Sequence, residues 1–159
     1  MNDLRIAVLG DSHRETFNID LIADTLEEVD LVIHTGDNYE DIKYIEKTYN
    51  KKVLGVRGNC DPGANAEDEI IEEIEGKRLF ISHGHKYGVK YSLSTIFYRG
   101  KEVEADIVIF GHSHVPLHVM EEDVILLNPG SISLPRGREG KTYAIVEIQE
   151  SIFAEIIEL

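Results

Sequence analysis

Five short segments of this 159-residue chain carry side chains that bind metal ions or move protons: "GDSH" at 10–13, "GDN" at 36–38, "GNCD" at 58–61, "HGH" at 83–85 and "GHSH" at 111–114. Each follows an apolar, β-branched run that ends on glycine. In open α/β sheets, ligands bind beyond the carboxyl ends of the strands. If the five runs share one sheet edge, seven oxygen or imidazole donors meet there: Asp11, His13, Asp37, Asn59, His83, His112 and His114. That is too many for one ion. A mixed oxygen and nitrogen set divided between two divalent ions suits Mn, Fe, Co, Ni or Zn. Two such ions about 3.5 to 4 Å apart clamp a phosphoryl group and generate a hydroxide nucleophile at neutral pH. Two divalent ions, the carboxylates of Asp11 and Asp37 and one hydroxide leave a single positive charge, so the centre would attract phosphate in a chain of net charge -14. The i, i+2 spacing of Asp11 with His13, and of His112 with His114, turns each pair to one side if the segments are extended.

The runs at 4–10, 30–36, 51–58, 77–84 and 105–111 read as five strands buried on both faces. Between the first two, Ile19, Ile22, Ala23 and Leu26 keep helical spacing, and between the second pair Ile42, Ile45 and Tyr49 do the same. Alternating β, α, β, α, β predicts a parallel sheet with crossover helices. A third helix is expected at 92–99, burying Leu93, Ile96 and Phe97 and stopping at Gly100. After it, "VPLHVME", "VILLN", "KTYAIVEIQ" and "IFAEIIEL" read as strands of a mainly antiparallel second half, packed against the first. No linker divides the halves, so one domain over 1–159 is expected, of a size that buries roughly 70% of its unfolded surface.

The acidic balance argues against an extended nucleic-acid partner and against anionic membranes. A single cysteine, Cys60, excludes an intramolecular disulfide, and "MNDLRIAVLGD" holds too short an apolar run for a signal peptide or membrane helix, so a cytoplasmic location is expected. A homodimer is the commonest assembly for soluble proteins.

Taken singly, most of these features are ordinary. A "GD" or "GN" pair is more often a turn than a ligand. His34 and His118 read as structural histidines, His85 as a neighbour of the site rather than a ligand, and Cys60 as a small apolar filler. Asn128, in "NPGS", reads equally as a turn residue or as a hydrogen-bonding group near the site. "GREGKT" at 137–142 fails as a phosphate loop because its glycines are too close and a strand follows.

In the order DxH, GD, GN, H and GHxH, the five segments resemble the signature of the calcineurin-like metallophosphoesterases over nearly the whole chain. With "NPGS" at 128–131 and no added domain, the chain is similar to the small bacterial and archaeal phosphodiesterase branch of that family. The resemblance implies an α/β fold, a four-layer α/β/β/α sandwich of two mixed β-sheets flanked by helices. It places Asp11, His13 and His114 on one divalent ion and Asn59, His83 and His112 on a second, with Asp37 bridging them, and manganese as the favoured metal. Asp37, Asn59, His83 and His112 would be the catalytic set, around a metal-bridging hydroxide that attacks phosphorus in line. The implied activity is hydrolysis of a small phosphodiester. A phosphomonoesterase is the nearest alternative, and a non-catalytic protein-binding scaffold of the retromer-subunit type is the alternative from another class. Two positions depart from the pattern. Cys60 stands where many relatives carry a histidine credited with protonating the leaving group, which leaves His85 or water for that role. Arg14 follows the first motif's histidine and reads either as a substrate contact or as a solvated residue.

Overall fold

The computed structural model of the chain describes residues 3–13, 15–37, 39–61, 66–136 and 140–159. The expectations that involve Arg14, Asn38 and residues 137–139 lie outside the described residues.

Among the described residues, ten strands form two five-stranded mixed sheets. The first sheet contains β1 (Leu4–Leu9), β2 (Leu31–His34), β3 (Val53–Gly55), β9 (Thr142–Ile148) and β10 (Ile152–Glu158), in the order β10-β9-β1-β2-β3. The second contains β4 (Glu69–Ile74), β5 (Lys77–Ser82), β6 (Ile107–Ile109), β7 (Leu117–Glu121) and β8 (Val124–Asn128), in the order β4-β5-β6-β8-β7. Each has a parallel trio, β1-β2-β3 in one and β5-β6-β8 in the other, with antiparallel strands completing it.

The pleat sorts the side chains into layers. Ile6 and Val8 of β1, Leu79 and Ile81 of β5, and Ile107 and Ile109 of β6 fill the core between the sheets. Their sequence neighbours Ala7 and Leu9 face the helices α1 (Thr16–Asp20), α2 (Ala23–Glu28) and α3 (Glu40–Tyr49), through Ile19, Ile22, Leu26 and Ile45. Phe80 and Val108 face α4 (Ser94–Glu102), through Ile96 and Phe97. Near-continuous apolar runs are what strands covered on both faces require. The result is the α/β/β/α sandwich that the family resemblance implied.

The five runs do not share one sheet edge, and the expectation of a mainly antiparallel second half packed against the first is corrected. β1, β2 and β3 lie in one sheet and β5 and β6 in the other, while the last four strands divide two and two. The cause is β4, whose glutamates in "EIIEEI" disguise a strand. It pairs with β5 through a two-residue turn at Glu75 and Gly76, with φ of 50° and 79°, the doubly left-handed turn that suits a hairpin. That pairing takes one edge of β5 and leaves the other for β6, so β5 cannot continue the sheet of β3.

Two helix expectations also change. The first helical stretch is broken at Leu21 and Ile22, although Ile19, Ile22 and Leu26 all stay buried. Gly100 does not stop α4, which runs on to Glu102. A Cβ at Gly100 would lie 2.5 Å from Val108 Cγ2, so this glycine lets the helix rest directly on β6.

Candidate metal centre

The seven donors occupy the loops after β1, β2, β3, β5 and β6, at the carboxyl ends of parallel strands from both sheets. Two sheet edges, rather than one, supply the site. Asp11, His13, Asp37 and His114 offer ligand atoms that all lie within 4.8 Å of one another, and Asp37, His83 and His112 do the same. Asn59 joins the second group, its Oδ1 being 3.0 Å from His83 Nε2. Asp37 is common to both.

The donors do not arrive on extended segments. Asp11, His13, Asp37, His112 and His114 have φ of 51°, 50°, 60°, 69° and 62°, all left-handed. That conformation costs an L-residue roughly 1 to 2 kcal/mol and persists where surrounding contacts over-determine it. Here the contacts are explicit. The Asp11 and His13 amides donate to the carbonyls of Gly36 (3.1 Å) and Asp37 (3.3 Å), and the Ser131 hydroxyl donates to the Asp11 carbonyl at 2.8 Å. The His112 amide donates to Asp11 Oδ2 at 3.2 Å, and the Asn128 amide group donates to the Gly111 carbonyl (3.2 Å) and Ser113 Oγ (3.0 Å). Asn128 also accepts from the Gly130 amide at 2.9 Å, so "NPGS" is both a turn and a clamp on the site.

Hydrogen bonds to backbone carbonyls fix two imidazole tautomers, since a carbonyl can only accept. His83 Nδ1 donates to the Thr35 carbonyl at 2.8 Å, and His114 Nδ1 to the Leu134 carbonyl at 2.6 Å. In the neutral rings both Nε2 atoms therefore carry lone pairs. That of His83 faces Asp37 Oδ2 (3.3 Å), Asn59 Oδ1 (3.0 Å) and His112 Nδ1 (3.2 Å). That of His114 faces His13 Nε2 (3.3 Å) and Asp11 Oδ1 (3.5 Å). Asp11 Oδ1 is buried with no hydrogen-bond partner among the described residues, and the whole residue is out of contact with solvent. Lone pairs gathered in this way repel unless a cation lies among them, and an orphaned buried carboxylate oxygen is costly for the same reason. The donor set fits divalent ions.

Electrostatics agree. Burial pushes the Asp37 carboxyl up, but its hydrogen bond to His83, the His83 charge and the Cys60 amide together hold it below the usual carboxylate range. Burial pushes His83 down, and the hydrogen bond to Asp37 with the charges of Asp11 and Asp37 overcomes this, so the net direction is upward. His112 is pushed down to about 4 by burial and by His83, which keeps its ring neutral and ready to coordinate.

The surrounding residues differ in part from expectation. Asp61 accepts from the amides of Gly58 (2.9 Å), Asp37 (3.1 Å) and Tyr39 (2.9 Å), tying two ligand loops together. Cys60 is exposed, so it is not a core filler; its amide serves Asp37, and partial desolvation with the Asp37 charge pushes its thiol up, away from the reactive thiolate. His85 is half-buried beside the site, its ring centroid 5.3 Å from that of His83 and 6.1 Å from that of His112. His118 is exposed on β7. His34 is fully buried and hydrogen-bonded to Ser12. Sequence reasoning missed Ser12, Thr35, Ser131 and Leu134. For Thr35 and Leu134 no signal existed, because they act through backbone carbonyls. Ser131 was within reach as the serine of "NPGS".

Residues 4–151 match the model of the calcineurin-like phosphoesterase superfamily domain. The probable metallophosphoesterase YsnB of Bacillus subtilis is 33% identical over 92% of this chain and 85% of its own length. A predicted phosphoesterase of Streptococcus pneumoniae TIGR4 superimposes with a TM-score of 0.85 at 31% identity, covering 99% of this chain and 91% of its own. An archaeal phosphodiesterase does so with a TM-score of 0.78 at 25% identity, over 98% and 100% of the two chains. Wild-type Vps29 of Entamoeba histolytica, solved in complex with zinc, shares the fold with a TM-score of 0.73 at 18% identity, over 98% and 99%. The chain belongs to the calcineurin-like phosphoesterase superfamily, a family of metal-dependent phosphoesterases.

Proposed function

We propose that this protein is a phosphodiesterase acting on small phosphodiesters at a binuclear site. Asp11, His13 and His114 would hold one ion, Asn59, His83 and His112 the other, and Asp37 both, with manganese favoured. The carrying observation is the convergence of fixed His83 and His114 lone pairs with Asp37 and the orphaned Asp11 oxygen. When bound, such ions make water a nucleophile at neutral pH and offset charge on the phosphoryl group. The chain's own part is positional. Thr35 and Leu134 orient His83 and His114, Asp61 and the Cys60 amide hold Asp37, and the two carboxylates reduce the ions' charge to a level that still attracts one phosphate. Proton delivery to the leaving group falls to water or His85, because the Cys60 thiol is a poor acid.

Likeness to an archaeal phosphodiesterase supports the diester preference, and the -14 charge disfavours an extended polynucleotide. The scaffold reading has only likeness of fold behind it. Since a Vps29 is solved with zinc, metal binding alone does not separate the two readings, whereas turnover does. The test is hydrolysis of bis-p-nitrophenyl phosphate against p-nitrophenyl phosphate with Mn²⁺ or Ni²⁺. Preference for the diester is expected; preference for the monoester refutes the diesterase assignment, and no turnover of either with two ions bound refutes catalysis.

A further inference from the structure

Behind the ligand loops lie three polar side chains that the proposed chemistry does not use. Ser12 and His34 are fully buried, and Asp41 is 2% exposed. Burying an imidazole and a carboxylate is unfavourable unless hydrogen bonds replace their water. The donor inventory sets the direction of these bonds. The Gly36 amide can only donate, so His34 Nδ1 accepts it at 3.1 Å. The neutral ring then carries its proton on Nε2, which donates to Ser12 Oγ at 2.8 Å. The Ser12 proton is left for Asp41 Oδ2, at 2.5 Å. Asp41 sits in the first turn of α3, where the helix N-terminus favours a carboxylate.

This chain of bonds joins the end of β2, the loop after β1 and the start of α3. Ser12 stands between Asp11 and His13, whose φ of 51° and 50° hold both ligands in the left-handed region. Its side chain is anchored to His34 and Asp41, while the flanking Asp11 and His13 carry ligand atoms that meet at the site. His83 of the other half is fixed by a different group, the Thr35 carbonyl, at 2.8 Å, and Asn59 meets His83 at 3.0 Å.

Resting on the binuclear reading above, we propose that Ser12, His34 and Asp41 are positioning residues for the Asp11–His13 loop, and that breaking their chain releases the ion of Asp11, His13 and His114 before that of Asn59, His83 and His112. A purely structural network would lower stability without separating the ions.

The test uses the full chain and Mn²⁺, followed by titration calorimetry and electron paramagnetic resonance. Ser12→Ala should keep one equivalent at wild-type affinity and weaken the other by about tenfold or more, within the range seen when partners of metal ligands are removed. The signal of a coupled manganese pair should give way to that of isolated Mn²⁺. Asp41→Leu, of similar size but without an acceptor, should do the same and serves if Ser12→Ala does not fold. Asp41→Asn, which keeps an oxygen for the Ser12 hydroxyl, should retain both ions. Unchanged affinities in Ser12→Ala and Asp41→Leu, or equal loss of both ions, overturn the positioning role. A wild-type chain that binds fewer than two equivalents overturns the binuclear reading and this role with it.

Discussion

Replacement of Gly58 by alanine tests the geometry of the site with a single methyl group. Gly58 is not left-handed, so alanine brings no conformational penalty there and its effect is steric. The added Cβ would lie 2.1 Å from Asp37 Oδ1 and 2.6 Å from the Asp37 amide nitrogen. Ordinary contact needs roughly 3.5 Å, so the two loops must part by about 1 Å. They cannot do so locally, because Asp61 accepts from both the Gly58 and Asp37 amides, at 2.9 and 3.1 Å. A misplacement of that size costs on the order of 100-fold in rate, and overpacking costs about 1 to 3 kcal/mol of stability. We expect kcat/KM for bis-p-nitrophenyl phosphate to fall by about 100-fold or more in Gly58→Ala, with weaker Mn²⁺ binding at both ions because Asp37 serves both. Gly76→Ala is the control. Its Cβ meets nothing within 4 Å, and its φ of 79° strains the β4–β5 turn, so melting falls by a few degrees while metal affinity and turnover stay unchanged. Wild-type turnover and metal affinity in Gly58→Ala would refute the placement of Asp37 at the centre of the site.

Asp37→Asn should abolish turnover and the thermal stabilisation given by Mn²⁺, which for the wild type at a hundred times Kd is about 2.7 kcal/mol for each ion, roughly 5 to 10 °C per ion for a chain of this length; melting curves with and without Mn²⁺ measure it. Cys60→Ala should keep its activity, since the Asp37 bond uses the Cys60 backbone amide; a collapse of kcat in steady-state assays would make the thiol a participant. Asp68, bonded to Lys86 at 2.9 Å and to Arg57 at 2.7 Å, is held down to about 2 from its ordinary 3.8. Its folded value is the lower one, so its small stabilising contribution is complete above pH 4 and is lost as pH falls toward 2. Lys86→Ala should raise that titration midpoint in carboxyl-detected NMR.

The convergence of the candidate donors was legible in the sequence because each follows a strand, and the ends of parallel strands are where a sheet presents its loops. The sheet partition was not, because the glutamates of β4 break the apolar pattern that marks the other strands, and that one hairpin decides which sheet β5 joins. Nor was the backbone of the ligand pairs. An i, i+2 spacing suggests extended chain, whereas Asp11, His13, His112 and His114 all turn left-handed, a conformation fixed by tertiary hydrogen bonds rather than local preference. The carbonyls of Thr35 and Leu134 leave no trace in residue type.

What holds these strained loops also explains why a site can straddle two sheets. The chain crosses from β8 in the second sheet to β9 in the first through the "NPGS" segment. On the way, Asn128 bonds the loop that carries His112 and His114, and Ser131 bonds the loop that carries Asp11 and His13. One connection thus fixes donors from both sheets relative to each other. The inter-sheet core of Ile6, Val8, Ile81, Ile109 and Leu127 lies among the strands that bear these loops, so packing of the core and spacing of the donors are a single mechanical problem. On the proposed binuclear reading, a core substitution that changes the distance between the sheets is expected to show first as a change in Mn²⁺ affinity, because Asp11 and His114, from loops of opposite sheets, meet at 3.5 Å; Mn²⁺ titration of such a variant checks it.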